Sequence, residues 1–355
     1  MKNVMKRTLI AALVFAVLLP GLYAAEKKEI TKTFKVKKYV KIYTITGSCE
    51  IVKGKEGEIK VHVVYSDSEV KLPKDLPIEL PIESLETIGK LAKPVFEEKD
   101  DTLFLREKLP GSDAALWQVA VPDNVVIDFN SAAGSFSIEG LISDISATTC
   151  VGEISAGGCR GKLKLRNSYG DIKVKDHSGT IDLSSLSGDV KVKKLSGEIR
   201  LRSASGEIEA EDLDGSISLK VSSGDMELAD AGGDFDASCI AGDLEASDLD
   251  IRGESSFKAV SGDIYVKLSK SPDYDLVLDS ASGNAVLDYN GNPVKGHFEF
   301  RARAGVGKIV SPFEFEKEEE TFAYGKKYLI KSFKRGSSVP KVVIKTATGK
   351  AVLEQ

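Results

Sequence analysis

Cysteine, histidine and tryptophan are scarce in this 355-residue chain, with four, three and one of each. Four cysteines (Cys49, Cys150, Cys159, Cys239) are too few for a disulfide framework in so long a chain. The histidines His62, His177 and His297 are scattered, and no H-x-x-H, C-x-x-C or H-E-x-x-H spacing occurs, so a transition-metal site is not expected. There is no G-x-S-x-G, and "GGDFD" and "AGVGK" open no strand-to-helix unit that would cradle a phosphate. Trp117 and most tyrosines stand apart from the repeat described below, which leaves no aromatic ladder for stacking sugars. A basic excess is also missing: 49 Lys and Arg against 54 Asp and Glu give a net charge of −5, which argues against nucleic acid as the main partner. Long apolar runs are absent except for "TLIAALVFAVLL", which is short of the ~20 residues of a spanning helix. Preceded by the basic "MKNVMKR" and followed by "PGLYAA", it reads as a secretory signal peptide over residues 1–25, cleaved after Ala24 or Ala25. Export to the periplasm, the cell surface or the medium is therefore expected. No lipid anchor is expected, since no Cys follows the run, and no transmembrane segment is expected after cleavage.

What the chain has in abundance is glycine at a fixed step. "SGDVKVKKLSGEIRLRSASGEIEAEDLDG" is part of an unbroken run with Gly at 152, 161, 170, 179, 188, 197, 206, 215, 224, 233 and 242. Two and four places after each glycine stand residues that are mostly apolar, such as Ile199 and Leu201 after Gly197, with polar residues between. Alternation over so short a run is a β-strand with one buried face, and glycine supplies the turn. Such a unit cannot bury its face alone, so copies must stack as a β-solenoid.

A second period lies inside the first. Six places after alternate glycines come Asp176, Lys194, Asp212, Asp230 and Asp248, all charged; the intervening copies carry Asn167, Ser185, Ser203, Val221 and Cys239. The structural repeat is thus eighteen residues, two strands per coil, ahead of a three-sided coil of twenty-seven that would mix the two classes. The expected fold is all-β: a two-sheeted parallel solenoid. Residues 26–130 form a strand-rich N-terminal part, with an insertion at 67–95 in which Ile82, Leu85, Ile88 and Leu91 predict one short helix. Residues 131–289 carry the regular repeat, loosened by insertions after Asp250, and 290–355 form a β cap over the open end.

The serial "SGDVKV", "SGEIRL", "SGEIEA", "SGDMEL" and "SGDIYV" behind a signal peptide resemble the bacterial β-strand-repeat "putative adhesin" family, a domain of unknown function. The resemblance runs from about Lys32 to the C-terminus. It implies a β-solenoid in a surface or periplasmic setting and supplies no catalytic or cofactor-binding residues.

Two surface features stand out. Just after the turn glycine, the eighteen-residue period stacks Glu153, Asp171, Asp189, Glu207, Asp225 and Asp243. Read functionally, Asp171, Asp189, Glu207, Asp225 and Asp243 are a cation ladder with hard oxygen ligands for Ca²⁺; read structurally, they are acids at a solvated corner, and the repeat lacks the double glycine of the calcium-binding nonapeptide. Charge also segregates. From Arg160 to Arg202 basic residues outnumber acidic ones by six, whereas from Ser203 to Asp250 fourteen acids face only Lys220. Such a solenoid is suited to an anionic surface or to head-to-tail self-association. The expectation is a non-catalytic scaffold or adhesion module whose partner is an envelope protein or glycan. An envelope assembly or signalling protein is the alternative, and a carbohydrate-active β-helix enzyme stands behind both. No catalytic residue, cofactor or metal is assigned.

Overall fold

The computed structural model describes residues 27–66, 94–107, 115–323 and 325–355, and every regular element among them is a β-strand. The helix expected at Ile82–Leu91 lies outside the described residues. Two compact units divide between Ser137 and Ile138.

In the second unit the parallel register is i to i+18: Ile172 pairs with Val190, Val190 with Ile208 and Ile208 with Met226. Each coil supplies one strand to each of two sheets, and the expected two-sheeted solenoid is what the chain forms. Inward columns such as Ile181–Ile199–Ile217 and Leu183–Leu201–Leu219 are buried throughout.

The αL backbone explains the hidden second period. Asp176, Lys194, Asp212, Asp230 and Asp248 have φ of 53, 57, 58, 52 and 56°, a left-handed conformation that Asp and Asn tolerate best among residues with a Cβ. This kink turns the next residue inward, so His177, Leu195, Leu213 and Ala231 are buried while the residue before each points out. The other half-coil has no such kink. There the sixth residue itself points inward, and Asn167, Ser185, Ser203, Val221 and Cys239 are buried. The two half-repeats therefore diverge past their fifth position, which places Cys150 outside and Cys159 inside.

Glycine is required where coil lies on coil. Gly197 has φ 120°, a region that a side chain does not adopt without strain, and a Cβ there would overlap the carbonyl oxygen of Gly179 in the preceding coil.

Beyond Asp250 the repeat stretches without breaking. Leu244 pairs with Ile264 and Phe257 with Leu278, and a bulge lies between Ala246 and Leu249. The C-terminal strands Lys341–Thr346 and Lys350–Glu354 pair in parallel with Leu276–Ser282 and Ala285–Asp288, which adds another coil. That coil lies between the preceding one and the strands Gly296–Arg303 and Lys308–Val310. Lys326–Arg335 and Lys317–Ala323 then continue the sheet antiparallel from Gly296–Arg303. The last of these strands is an edge rich in charge ("KEEE"), which discourages pairing with another chain.

The first unit repeats this device. Tyr39–Thr44 lies between Val126–Ala133 and Thr102–Glu107, parallel to both, and Pro94–Lys99 closes that sheet antiparallel. In its second sheet, Ser48–Lys53 pairs in parallel with Leu116–Val121, followed by Glu58–Ser66 and Lys27–Lys35, both antiparallel.

Candidate functional site

The acidic column stands at the Ser-Gly-Asp corner, and its geometry gives it a structural task. At each corner the glycine N–H and the N–H two residues on both donate to backbone carbonyls of the next coil, as Gly170 does to Ser187 O and Ile172 to Asp189 O. The N–H between them faces the previous coil, and at five corners it donates to the carboxylate of an Asp there; the Glu207 carboxylate does not take part. Asp189 N donates to Asp171 Oδ1 at 3.1 Å, Glu207 N to Asp189 Oδ1 at 3.0 Å, Asp243 N to Asp225 Oδ1 at 2.8 Å and Asp263 N to Asp243 Oδ1 at 2.8 Å. Asn284 N continues the series on Asp263 Oδ1 at 2.7 Å. The side chain thus does what a carbonyl does elsewhere in the ladder. Of the five residues expected as cation ligands, Asp171, Asp189, Asp225 and Asp243 each give one oxygen to this bond. Among the described residues, no group of three or more His, Cys, Asp or Glu side chains comes together in a way that could hold a metal ion.

The two sheet faces carry the remaining charge. On the first, the registered columns read Lys173, Lys191, Glu209, Glu227, Glu245 and Lys175, Lys193, Glu211. The basic and acidic blocks meet in ion pairs: Lys191 with Glu209 at 2.6 Å, Lys193 with Glu211 at 2.7 Å, and Lys173 back to Glu153. Each pairing holds its lysine pKa above the ordinary range, through the hydrogen bond to the carboxylate first. On the second face Arg202 bonds Asp182 at 2.8 Å, Arg200 bonds Glu198, and Lys220 lies 3.4 Å from Asp236. Strand Arg160–Tyr169 differs. Arg160, Lys162, Lys164 and Arg166 project from alternate positions along it, and none makes an ion pair among the described residues.

At one corner the large apolar residues are exposed. Val151, Tyr169, Leu186, Ile240 and Val260 are all more than half accessible and lie along a single edge of the coils. Sequence reading passed over this strip, because its members stand among polar residues just before the turn glycine, and the nine-residue pattern does not say that this corner turns them outward.

Buried titratable groups serve the core. His177 sits in the column of Leu195 and Leu213, its Nε2 3.1 Å from Gly161 O and its Nδ1 without a partner. Burial lowers its pKa, which favours the neutral ring. All four cysteines are free thiols. Cys49, Cys159 and Cys239 are buried, and desolvation raises each pKa, which keeps them unreactive. In the first unit the Glu107 carboxylate accepts the N–H groups of Ile45 and Gly47 at 3.1 Å each and fixes that corner. Also in that unit, Thr31, His62 and Gln118 lie side by side across antiparallel strands, beside Lys60 and Ala120, in a shallow groove of about 290 Å³. Thr31 Oγ1 lies 2.9 Å from His62 Nδ1, and no carboxylate bonds the ring among the described residues.

The model of the Toastrack DUF4097 family matches residues 118–308. No curated protein matches the sequence. Two solved structures are similar at 12% identity. One is described as a putative cell adhesion protein from Clostridium sporogenes, with 93% of this chain and 100% of that one covered and a TM-score of 0.19. The other is described as a putative lipid binding protein from Parabacteroides distasonis, with 93% and 98% covered and a TM-score of 0.32.

Proposed function

From the premise that the chain belongs to the Toastrack DUF4097 family, we propose that it is a non-catalytic binding module of the bacterial cell envelope. In this reading it is exported and holds an envelope protein or glycan against its charged sheet faces. The observation that carries the reading is the array itself: outward side chains repeat about every 6.7 Å along each strand and about every 4.8 Å from coil to coil, on sheets whose interior columns are fully packed. A rigid, regular lattice of charge favours a partner that is also extended and repetitive, because many weak surface contacts then add. The signal-peptide pattern of residues 1–25 supports export.

The test has two readings on one preparation. Protein taken from the envelope fraction is weighed intact, and the mass expected is that of a chain beginning at Ala25 or Glu26. The same protein is then applied to an array of envelope glycans and polymers, scored for retention and for new reducing ends. Retention without new ends is expected. A full-length mass in the cytosol, or release of reducing ends, overturns the reading.

A further inference from the structure

We propose that strand Arg160–Tyr169 is a binding site for an acidic polysaccharide laid lengthwise along it, a reading that rests on the binding-module function above and gives its partner a chemical class. Arg160, Lys162, Lys164 and Arg166 occupy alternate positions: Lys162, Lys164 and Arg166 stand about 6.7 Å apart along the strand, and Arg160 lies just across the turn glycine Gly161, whose φ is 117°. Elsewhere on the regular coils Lys173, Lys191, Lys193, Arg200, Arg202 and Lys220 are neutralised by carboxylates of the same chain. Lys175 and Lys194 make no ion pair among the described residues, but each is a single unpaired cation on its strand, whereas the four of this row are unpaired together. Their neighbours in register explain why. Ser146 and Thr148 on the preceding coil stand opposite Lys164 and Arg166. Ser178, Thr180 and Ser184 on the following coil stand opposite Arg160, Lys162 and Arg166. The acids beside the row are two: Asp182, opposite Lys164 and already held by Arg202, and Asp144, which takes the backbone N–H of Lys162 at 3.1 Å.

The row therefore offers cations with hydroxyls beside them, on both sides of Arg166 and on one side of each of the others. That combination suits a sugar chain, whose carboxylates or sulfates meet the cations while its hydroxyls bond to Ser and Thr. At the end of the same strand Tyr169 is 59% exposed, a ring open for stacking on a sugar. The net charge of −5 opposes any bulk attraction of polyanions, so the affinity must come from this local row. Single exposed ion pairs are weak, which makes an extended polymer that engages all four cations the fitting ligand.

The intact protein is titrated with polygalacturonate, chondroitin sulfate, neutral dextran, polyphosphate and single-stranded DNA at 50 and 200 mM NaCl. Expected is binding to at least one of the two acidic glycans and none to dextran. With about four charges neutralised, affinity should fall about 10–50-fold between the two salt concentrations. Lys164→Gln with Arg166→Gln should cost about 10-fold or more and flatten the salt dependence, while Lys317→Gln with Lys327→Gln, ion-paired lysines on the C-terminal antiparallel strands, leaves binding unchanged. Tyr169→Ala should weaken glycan binding alone. All variants should melt as the parent does. Equal binding of DNA or polyphosphate with no effect of Tyr169→Ala overturns the glycan assignment. Glycan binding untouched by the Lys164/Arg166 pair overturns this site while leaving the module reading standing. Failure of both acidic glycans to bind overturns the proposal, and the module reading itself fails only if the wider envelope array is also blank.

Discussion

Replacing Gly197 with alanine tests the stacking of the coils at a single atom. Gly197 holds φ 120°, and an alanine Cβ there would overlap Gly179 O and lie 3.1 Å from the carbonyl carbon of Gly179. Two costs follow. The backbone conformation itself is strained by about 1–3 kcal/mol for a residue with a side chain. Relieving the overlap requires two hydrogen-bonded coils to part locally, an overpacking cost of about 1–3 kcal/mol. A loss of about 3–5 kcal/mol is a large share of a typical 5–15 kcal/mol stability, and it corresponds to a fall in Tm of about 10 °C. Gly291→Ala is the internal control, because Gly291 has φ 76° with open space where the Cβ would go; strain alone should cost about 1 kcal/mol there. Thermal melts followed by far-UV circular dichroism decide the matter. Equal stability of the two variants would refute glycine-on-glycine stacking, since only Gly197 meets another coil.

Other predictions use the same melts. Lys194 is the one non-Asp residue in the αL column, with φ 57°, so Lys194→Asn should stabilise the protein by about 0.5–1 kcal/mol; a loss would contradict the αL account. Asp243 accepts the Asp263 N–H at 2.8 Å. Asp243→Asn keeps an acceptor and should be neutral, whereas Asp243→Ala should cost about 1 kcal/mol; a calcium-dependent rise in Tm lost in both variants would restore the cation reading. His177 is buried and its pKa is lowered in the fold, so the unfolded chain binds the extra proton first. Stability is therefore full above the unfolded value of about 6.5 and declines as pH falls below it toward the folded pKa. His177→Leu, matching Leu195 and Leu213, should remove that part of the acid sensitivity; an unchanged pH profile would show that other groups carry it. Ile199 is fully buried, and Ile199→Asp should abolish cooperative melting, since an unpaired carboxylate in the interior costs several kcal/mol.

The coil was legible in the sequence because its causes are local. A glycine every nine residues marks each corner, and the charged sixth residue of alternate copies marks the αL kink that makes eighteen the true period. The resemblance to the adhesin-type repeat family rested on the same residues, and the family match covers them. The task of the acidic column was not legible, because an Asp that accepts the next coil's N–H is spelled like an Asp that merely faces water. The ends of the chain were hidden for a different reason. That Lys341–Thr346 pairs with both Leu276–Ser282 and Gly296–Arg303 is a non-local choice that no period records. The unpaired row at Arg160–Arg166 lies between the two cases. The segregation of charge was visible at once, but which cations lack a partner depends on the residue eighteen places away, and so on the register.

That register is the claim on which the charge lattice depends, and cross-linking reads it directly. In-register neighbours in a parallel sheet lie about 4.8 Å apart, within the Cα separation that a disulfide spans. Lys193 faces Glu211 across the coils. In a Cys150→Ser background, which removes the exposed thiol, Lys193→Cys with Glu211→Cys should oxidise to an intramolecular disulfide in the folded protein, and Lys193→Cys with Lys220→Cys should not. The reverse result, a link to position 220, would mean a three-sided coil of twenty-seven residues and would dismantle every row of charge described above.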